Sequence, residues 1–277
     1  MRFLILAHTG DETAVRVAAS LLRRHSPADV RLVSAEEIVY ARRWDHRLGE
    51  GPVASWVTLH DGTVIGGEAP AVVFNRLRGI EMPQFAAASP ADHEYAVMEM
   101  FALVLSWLKS LACPVINAPS PQGLGGPARS ALAWQLLAAK SGLPTLPLRL
   151  TSSSRRYHAP DLVFHPADSL GAALSAGGRL PPGNVPAQFA GAVDRARMSV
   201  LVAGRRVVGR VPPELVHGCL ALARRANTPI LRAHFAAAMD APFGWVFASA
   251  DPLPLLTDPA ETSALVELLE SRAADAP

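Results

Sequence analysis

Phe3–Ala7 is an unbroken apolar run of strand length that gives way at residues 8–11 to a polar turn, then to apolar positions at helical spacing over 12–24. Residues 29–33 read as a second strand, and Ser34 with Glu37 makes the capping-box pattern ahead of a short helix. The chain therefore opens as strand, helix, strand. Residues 53–65 alternate around Asp61-Gly62, a pair suited to a tight hairpin because glycine tolerates positive φ, and a further buried strand follows at 71–74. Between 92 and 111, Tyr95, Met98, Phe101, Ala102, Leu105, Leu108 and Leu111 recur at the spacing of a helix face and predict a long amphipathic helix. A short strand at 114–116, a Pro/Gly-rich loop at 119–127 and a helix over 128–140 ended by Ser141-Gly142 come next.

Residues 151–194 are the least regular part of the chain and read as a reduced linker or insertion. Order returns with a hairpin, 198–202 and 207–211 about a Gly204-Arg205 turn, then a helix over 213–226, strands at 230–235 and 245–254, and a final helix over 259–274. This is an α/β pattern without internal repeats. Its boundaries are expected at 1–118 for an N-terminal domain, 119–150 for a connecting helix and strand, 151–196 for the reduced segment and 197–277 for a C-terminal lobe.

Composition narrows the function classes. Twenty-six Lys plus Arg against 24 Asp plus Glu leave a charge of +2, which advertises neither a nucleic-acid nor a membrane surface. Half of the residues are hydrophobic and 18% charged, outside the disordered range. Cys113 and Cys219 stand far apart, as small buried hydrophobes do, and form no metal-ligand spacing. The first apolar run is too short for a signal peptide, and no run approaches a membrane span, so a cytoplasmic protein is expected.

Arg76 and Arg78 follow a buried strand, where open α/β sheets place their ligand crevice. They are candidates to grip a carboxylate or phosphate bidentately, or else to pair structurally with Glu81, Glu94 or Glu99. Asn117, at the next strand end, suits ligand contact or a turn equally well. Gly123-Leu-Gly-Gly126 lacks the lysine of a phosphate loop, and the 8–11 turn could line the same crevice or simply cap a helix. No histidine spacing matches a metal motif and no nucleophile constellation is visible, so neither a catalytic residue nor a metal ligand is assigned.

Three blocks together resemble the ATP-grasp superfamily, most closely its branch of glutathione-synthetase-like enzymes, ribosomal-protein glutamate ligases and graspetide ligases. The first runs from Val72-Val-Phe-Asn-Arg-Leu77 through Glu94, Tyr95 and Glu99 to Pro114-Val-Ile-Asn-Ala-Pro119 and Ser141-Gly-Leu-Pro144, similar to the family's N-terminal domain. The second, beginning at Arg197-Met-Ser-Val-Leu201, resembles the hairpin after the nucleotide lid. The third, Trp245-Val-Phe-Ala-Ser-Ala-Asp-Pro-Leu-Pro254, resembles the strand whose Glu and Asn hold magnesium. The resemblance implies a Rossmann-like N-lobe followed by an ATP-grasp C-lobe.

The departures from that pattern concern chemistry. Ser249 stands at the Glu position, Asp251 at the Asn position and His234 where an upstream Asp is usual. No lysine lies between Thr151 and Arg197, and about 45 residues are few for a complete lid, so the lid is expected to be truncated. Magnesium favours carboxylate oxygens over imidazole or hydroxyl. The expected function is thus a degenerate, non-catalytic ATP-grasp-like protein without cofactor that binds a protein or peptide partner, such as an active ligase or a peptide being modified, as a homo- or hetero-oligomer. Arg197 joins Arg76, Arg78 and Asn117 as a ligand-binding candidate. Two alternatives stay open: an active Mg-ATP-dependent carboxylate–amine ligase, with Asp251, Glu214 and Asp240 as metal ligands, and a small-molecule or nucleotide-binding Rossmann-like protein.

Overall fold

In the computed structural model, which describes residues 1–49, 53–66, 70–145, 149–151, 162–166, 187–191 and 197–275, the apolar opening run becomes an inner strand of a parallel sheet. By contacts the chain forms two compact units, Met1–Ala128 with Pro252–Pro277, and Arg129–Asp251.

In the first unit β1 (Phe3–Ala7) pairs in parallel with β2 (Val30–Ser34) on one side and β6 (Val72–Asn75) on the other, and β6 pairs with β7 (Val115–Ile116). Every residue of β1 and β6 is buried, as expected of parallel strands covered on both faces. Leu4, Leu6 and Val73 share a core cluster with Ile38, Val57 and Trp107, while α1 (Glu12–Leu22) and the last helix, α6 (Pro259–Ala274), also pack on the sheet. The predicted capping box of Ser34 and Glu37 opens α2 (Ala35–Val39). The expected hairpin is β4 (Ala54–Thr58) and β5 (Val64–Gly66). It gains a third antiparallel strand, β3 (Arg43–Arg47), whose polar sequence RWDHR gives no strand signal.

The long helix α3 (Pro90–Ser110) starts at Ser89, whose side chain accepts from the Asp92 N–H. Its buried face is Val104, Trp107 and Leu108, with Trp107 edge-on to Trp44 at 5.4 Å. The apolar stripe read from the sequence is only partly internal, because Tyr95 and Met98 are 67% and 59% exposed. This helix carries apolar residues on most of its circumference, so periodicity alone does not select the side that packs.

In the second unit α4 (Ala131–Lys140) begins after the Ser130 cap. The segment expected as a reduced linker holds two strands of a three-stranded antiparallel sheet, β8 (Arg149–Thr151), β10 (Ala187–Gly191) and β9 (Leu162–Pro166) in spatial order. The remainder of that segment, including Ser152–Arg156, lies outside the described residues. A four-stranded antiparallel sheet follows: β11 (Arg197–Ala203), β12 (Arg206–Val208), β13 (Ile230–Ala237) and β14 (Trp245–Asp251), in the order β12-β11-β13-β14. Its inner face, with Val200, Val202, Phe235 and Phe247, packs with Trp134 of α4 and with Leu215 and Leu222 of α5 (Pro213–Arg225). No helix among the described residues is long and apolar enough to cross a membrane.

Truncating Trp107 to Ala removes its buried edge-on contact between α3 and Trp44 of β3. A loss of about 3–5 kcal/mol is expected in urea unfolding, and a loss below about 1 kcal/mol would place that contact outside the cooperative core.

Candidate functional site

The order β2-β1-β6-β7 sets a topological switch between β1 and β6, since the chain leaves β1 toward β2 and returns on its other side. At the carboxyl ends of these strands lie His8, Arg76 and Arg78. Arg76 is 3% exposed. Its Nε donates to Asp11 Oδ2 at 2.8 Å, Nη1 to the Pro254 carbonyl at 3.2 Å and Nη2 to the Leu253 carbonyl at 3.4 Å. All three nitrogens thus serve protein oxygens, which favours the structural reading. The partner is Asp11, while Glu81, Glu94 and Glu99 are exposed. Asp11 also caps α1 by accepting from the Ala14 N–H at 2.9 Å.

Arg78 is exposed, and its backbone N–H donates to His8 Nε2 at 3.1 Å, fixing that imidazole at the rim of the crevice. Asn117 is buried with φ 61°, a left-handed conformation that asparagine tolerates. It forms a reciprocal clamp with Asn75: Asn75 Nδ2 donates to the Asn117 carbonyl at 2.9 Å, and Asn117 Nδ2 to the Asn75 carbonyl at 3.3 Å. Asn117 Oδ1 is buried with no hydrogen-bond donor among the described residues. The clamp is a packing device that single-sequence motifs do not reveal, although two asparagines at adjacent parallel strand ends are its trace.

The second candidate region is the outer face of the β11–β13–β14 sheet. Alternation along β13 sends Leu231, Ala233 and Phe235 into the core and Arg232 and His234 to the other side. Register places Ser199, His234 and Ser249 side by side across three strands, with Arg232 opposite Asp251 in the adjacent row. A bulge after His234 shifts the pairing so that Phe235 meets Phe247, and Gln135 donates to the Phe247 and Ala248 carbonyls at 3.1 and 3.0 Å there. Arg197 opens β11, exposed, opposite Ala236. Burial holds the His234 imidazole below its ordinary pKa, Arg232 lowers it further, and Asp251 acts in the opposite direction.

Among the described residues, the strands of this face offer one carboxylate, one imidazole and hydroxyls, with the Arg232 cation among them. That donor set does not fit magnesium, which takes several oxygen anions in octahedral geometry. Among the described residues no three His, Cys, Asp or Glu side chains are grouped to hold a metal. Burial pushes the thiols of Cys113 and Cys219 up to about 11 and about 12, as inert apolar side chains.

The chain has the ATP-grasp fold. It is similar to the ATP-grasp ligase PsnB complexed with a phosphomimetic variant of its minimal precursor, Mg and ADP, at TM-score 0.71 and 17% identity over 98% of both chains. It is also similar to the RiPP-associated ATP-grasp ligase of Chryseobacterium gregarium in complex with ADP and a leader and core peptide, at TM-score 0.70 and 12% identity, over 100% of this chain and 98% of that one. The macrocyclase MdnC of Microcystis aeruginosa MRC, bound with precursor peptide MdnA, matches at TM-score 0.70 and 12% identity, over 98% of this chain and all of that one, 100%. No protein-family model and no curated protein matches the sequence.

Two outcomes test this geometry. Arg76→Met leaves Asp11 and two carbonyls without their cation, and a loss of about 3–5 kcal/mol is expected in urea unfolding. For His234, both folded and unfolded chains are neutral well above the ordinary value of 6.5. As pH falls through that value the unfolded chain binds the proton first, so folding stability declines until the depressed folded pKa is reached. An NMR titration of His234 should therefore have its midpoint below 6.5, and His234→Gln should flatten the stability profile in that window. A midpoint at or above the ordinary value would contradict the burial assigned to this ring.

Proposed function

We propose that this chain is a degenerate ATP-grasp protein that carries out no ATP-dependent ligation and binds a protein or peptide partner. The observation that carries the reading is the outer face of the β11–β13–β14 sheet, where register sets His234 opposite Ser249 and Arg232 opposite Asp251, the one carboxylate in these three strands. Phosphoryl transfer relies on neutralising phosphate charge with metal ions and a cation clamp. A face with one anionic ligand and a resident guanidinium is poorly built to recruit such metals. The absence of lysine between Thr151 and Arg197 points the same way. Here the reading rests on the missing lysine rather than on missing length, since the alignment with PsnB takes in 98% of that chain. A peptide partner is supported by the similar structures complexed with precursor, leader or core peptides.

The alternative, an active carboxylate–amine ligase, is favoured by the ADP found in the PsnB and Chryseobacterium complexes and by the carboxylate that Asp251 places on the sheet face. Its further candidate ligands Glu214 and Asp240 are both exposed. Titration calorimetry and ADP release separate the two readings. Wild type is expected to show no saturable Mg-ATP binding below about 1 mM and no ADP release with candidate peptides. His234→Asp combined with Ser249→Glu should create measurable Mg2+ affinity. Micromolar Mg-ATP binding or peptide-dependent ADP release by the wild-type chain would overturn the proposal.

A further inference from the structure

Helix α3 has a second apolar side that the first unit leaves uncovered. Ala91, Tyr95, Met98 and Ala102 follow one another at spacings of four, three and four residues, and all are exposed. At those spacings side chains line up along one face of a helix. Helical geometry puts Glu94 along one edge of this stripe and Asp92 and Glu99 along the other, all three exposed. At the Glu94 edge a pocket of about 460 Å³ opens, lined by Ile80, Glu81, Met82, His93, Glu94 and Val97. Apolar surface thus continues from the stripe into a concavity with carboxylates at its rim. Isolated exposed apolar residues are ordinary, but a stripe adjoining an apolar pocket marks an interaction surface.

Charge decides the occupant. A second copy fits poorly, because antiparallel pairing of two stripes about Met98 brings the two Glu99 carboxylates together and sets acidic edge near acidic edge. Lys109, at the far end, is the sole lysine or arginine on the helix. A segment with apolar residues at helical spacing and lysine or arginine on its flanks meets both the stripe and its edges with complementary character. The geometry points to α3 as the docking site for a basic amphipathic helix of a partner polypeptide, with one bulky apolar side chain seated in the Ile80–Met82–Val97 pocket. This rests on the reading that the chain binds a polypeptide and adds where it binds and with what charge.

The test is fluorescence anisotropy on the full chain with a labelled helical peptide of about 18 residues, leucines on one face and lysines flanking them, and its counterpart with glutamate for lysine. The basic peptide is expected to bind saturably below about 100 μM, with Met98→Glu and Tyr95→Ser each weakening it by about tenfold. Both side chains are exposed, and circular dichroism verifies that the variants fold. Glu94→Lys with Glu99→Lys should transfer the preference to the acidic peptide, an exchange that general stickiness does not produce. Equal binding of the two peptides, no saturable binding, or unchanged affinity in Met98→Glu would overturn the inference. So would a dimer in sedimentation that Met98→Glu dissociates, which assigns the stripe to a second copy. ADP release by the wild-type chain would defeat the proposed function while leaving this surface intact, whereas charge-blind binding without turnover would defeat only the surface.

Discussion

The buried pair of Arg76 and Asp11 is the interaction on which the first unit depends. A guanidinium removed from water needs several acceptors, and this one finds a carboxylate and two backbone carbonyls. Each contact ties a different part of the chain: Arg76 just beyond β6, Asp11 at the cap of α1, and Leu253 and Pro254 in the segment leading to α6. Thr13 reinforces the junction, its hydroxyl donating to the Pro254 carbonyl and accepting from the Leu256 N–H. Local helix capping and the placement of a segment more than two hundred residues away thereby share one charge pair. Pro252–Pro277 belongs to the first unit for this reason, together with the packing of α6 on α1 and β6.

A different constraint organises the second unit. Its sheet must bury one face against α4 and α5, so alternation along β13 commits Arg232 and His234 to the other side whatever their chemistry. The bulge held by Gln135 then sets which residue of β14 stands beside His234, and that residue is Ser249. Side-chain direction here is a property of backbone and core. Chemistry at those positions is therefore separable from the fold, and carboxylates can be replaced there without disturbing the hydrophobic side.

Much of the fold was legible because its strongest signals are local. Phe3–Ala7 reads as a buried strand from its unbroken apolar run, and the Ser34/Glu37 capping box and Asp61-Gly62 hairpin followed from residue chemistry at fixed offsets. β3 was not legible, since RWDHR owes its strand conformation to pairing with β4. Neither was the packed side of α3, because apolar residues nearly encircle it and packing that includes Trp44 of β3 selects Trp107. The sheet face could be anticipated as far as His234, Ser249 and Asp251 sharing one region. Arg76 was visible as a residue of consequence, yet its partner lies 65 positions earlier in a turn that reads as a plain helix cap. Long-range pairing leaves no periodic trace, so the distinction between ligand grip and architectural clamp required three-dimensional contacts.

The uncovered side of α3 bears on what such a scaffold can do under the proposed loss of phosphate chemistry. Folding of the first unit uses Val104, Trp107 and Leu108, and nothing in that core requires Tyr95 or Met98 to be apolar. Polar residues at those two positions would serve stability equally well and would remove an association hazard. Their apolar character, the carboxylate edges and the neighbouring pocket are instead consistent with recognition of a polypeptide, a task that needs shape and charge but no metal. Recognition at α3 and chemistry at the sheet face around Asp251 draw on different side chains in different compact units, so neither depends physically on the other.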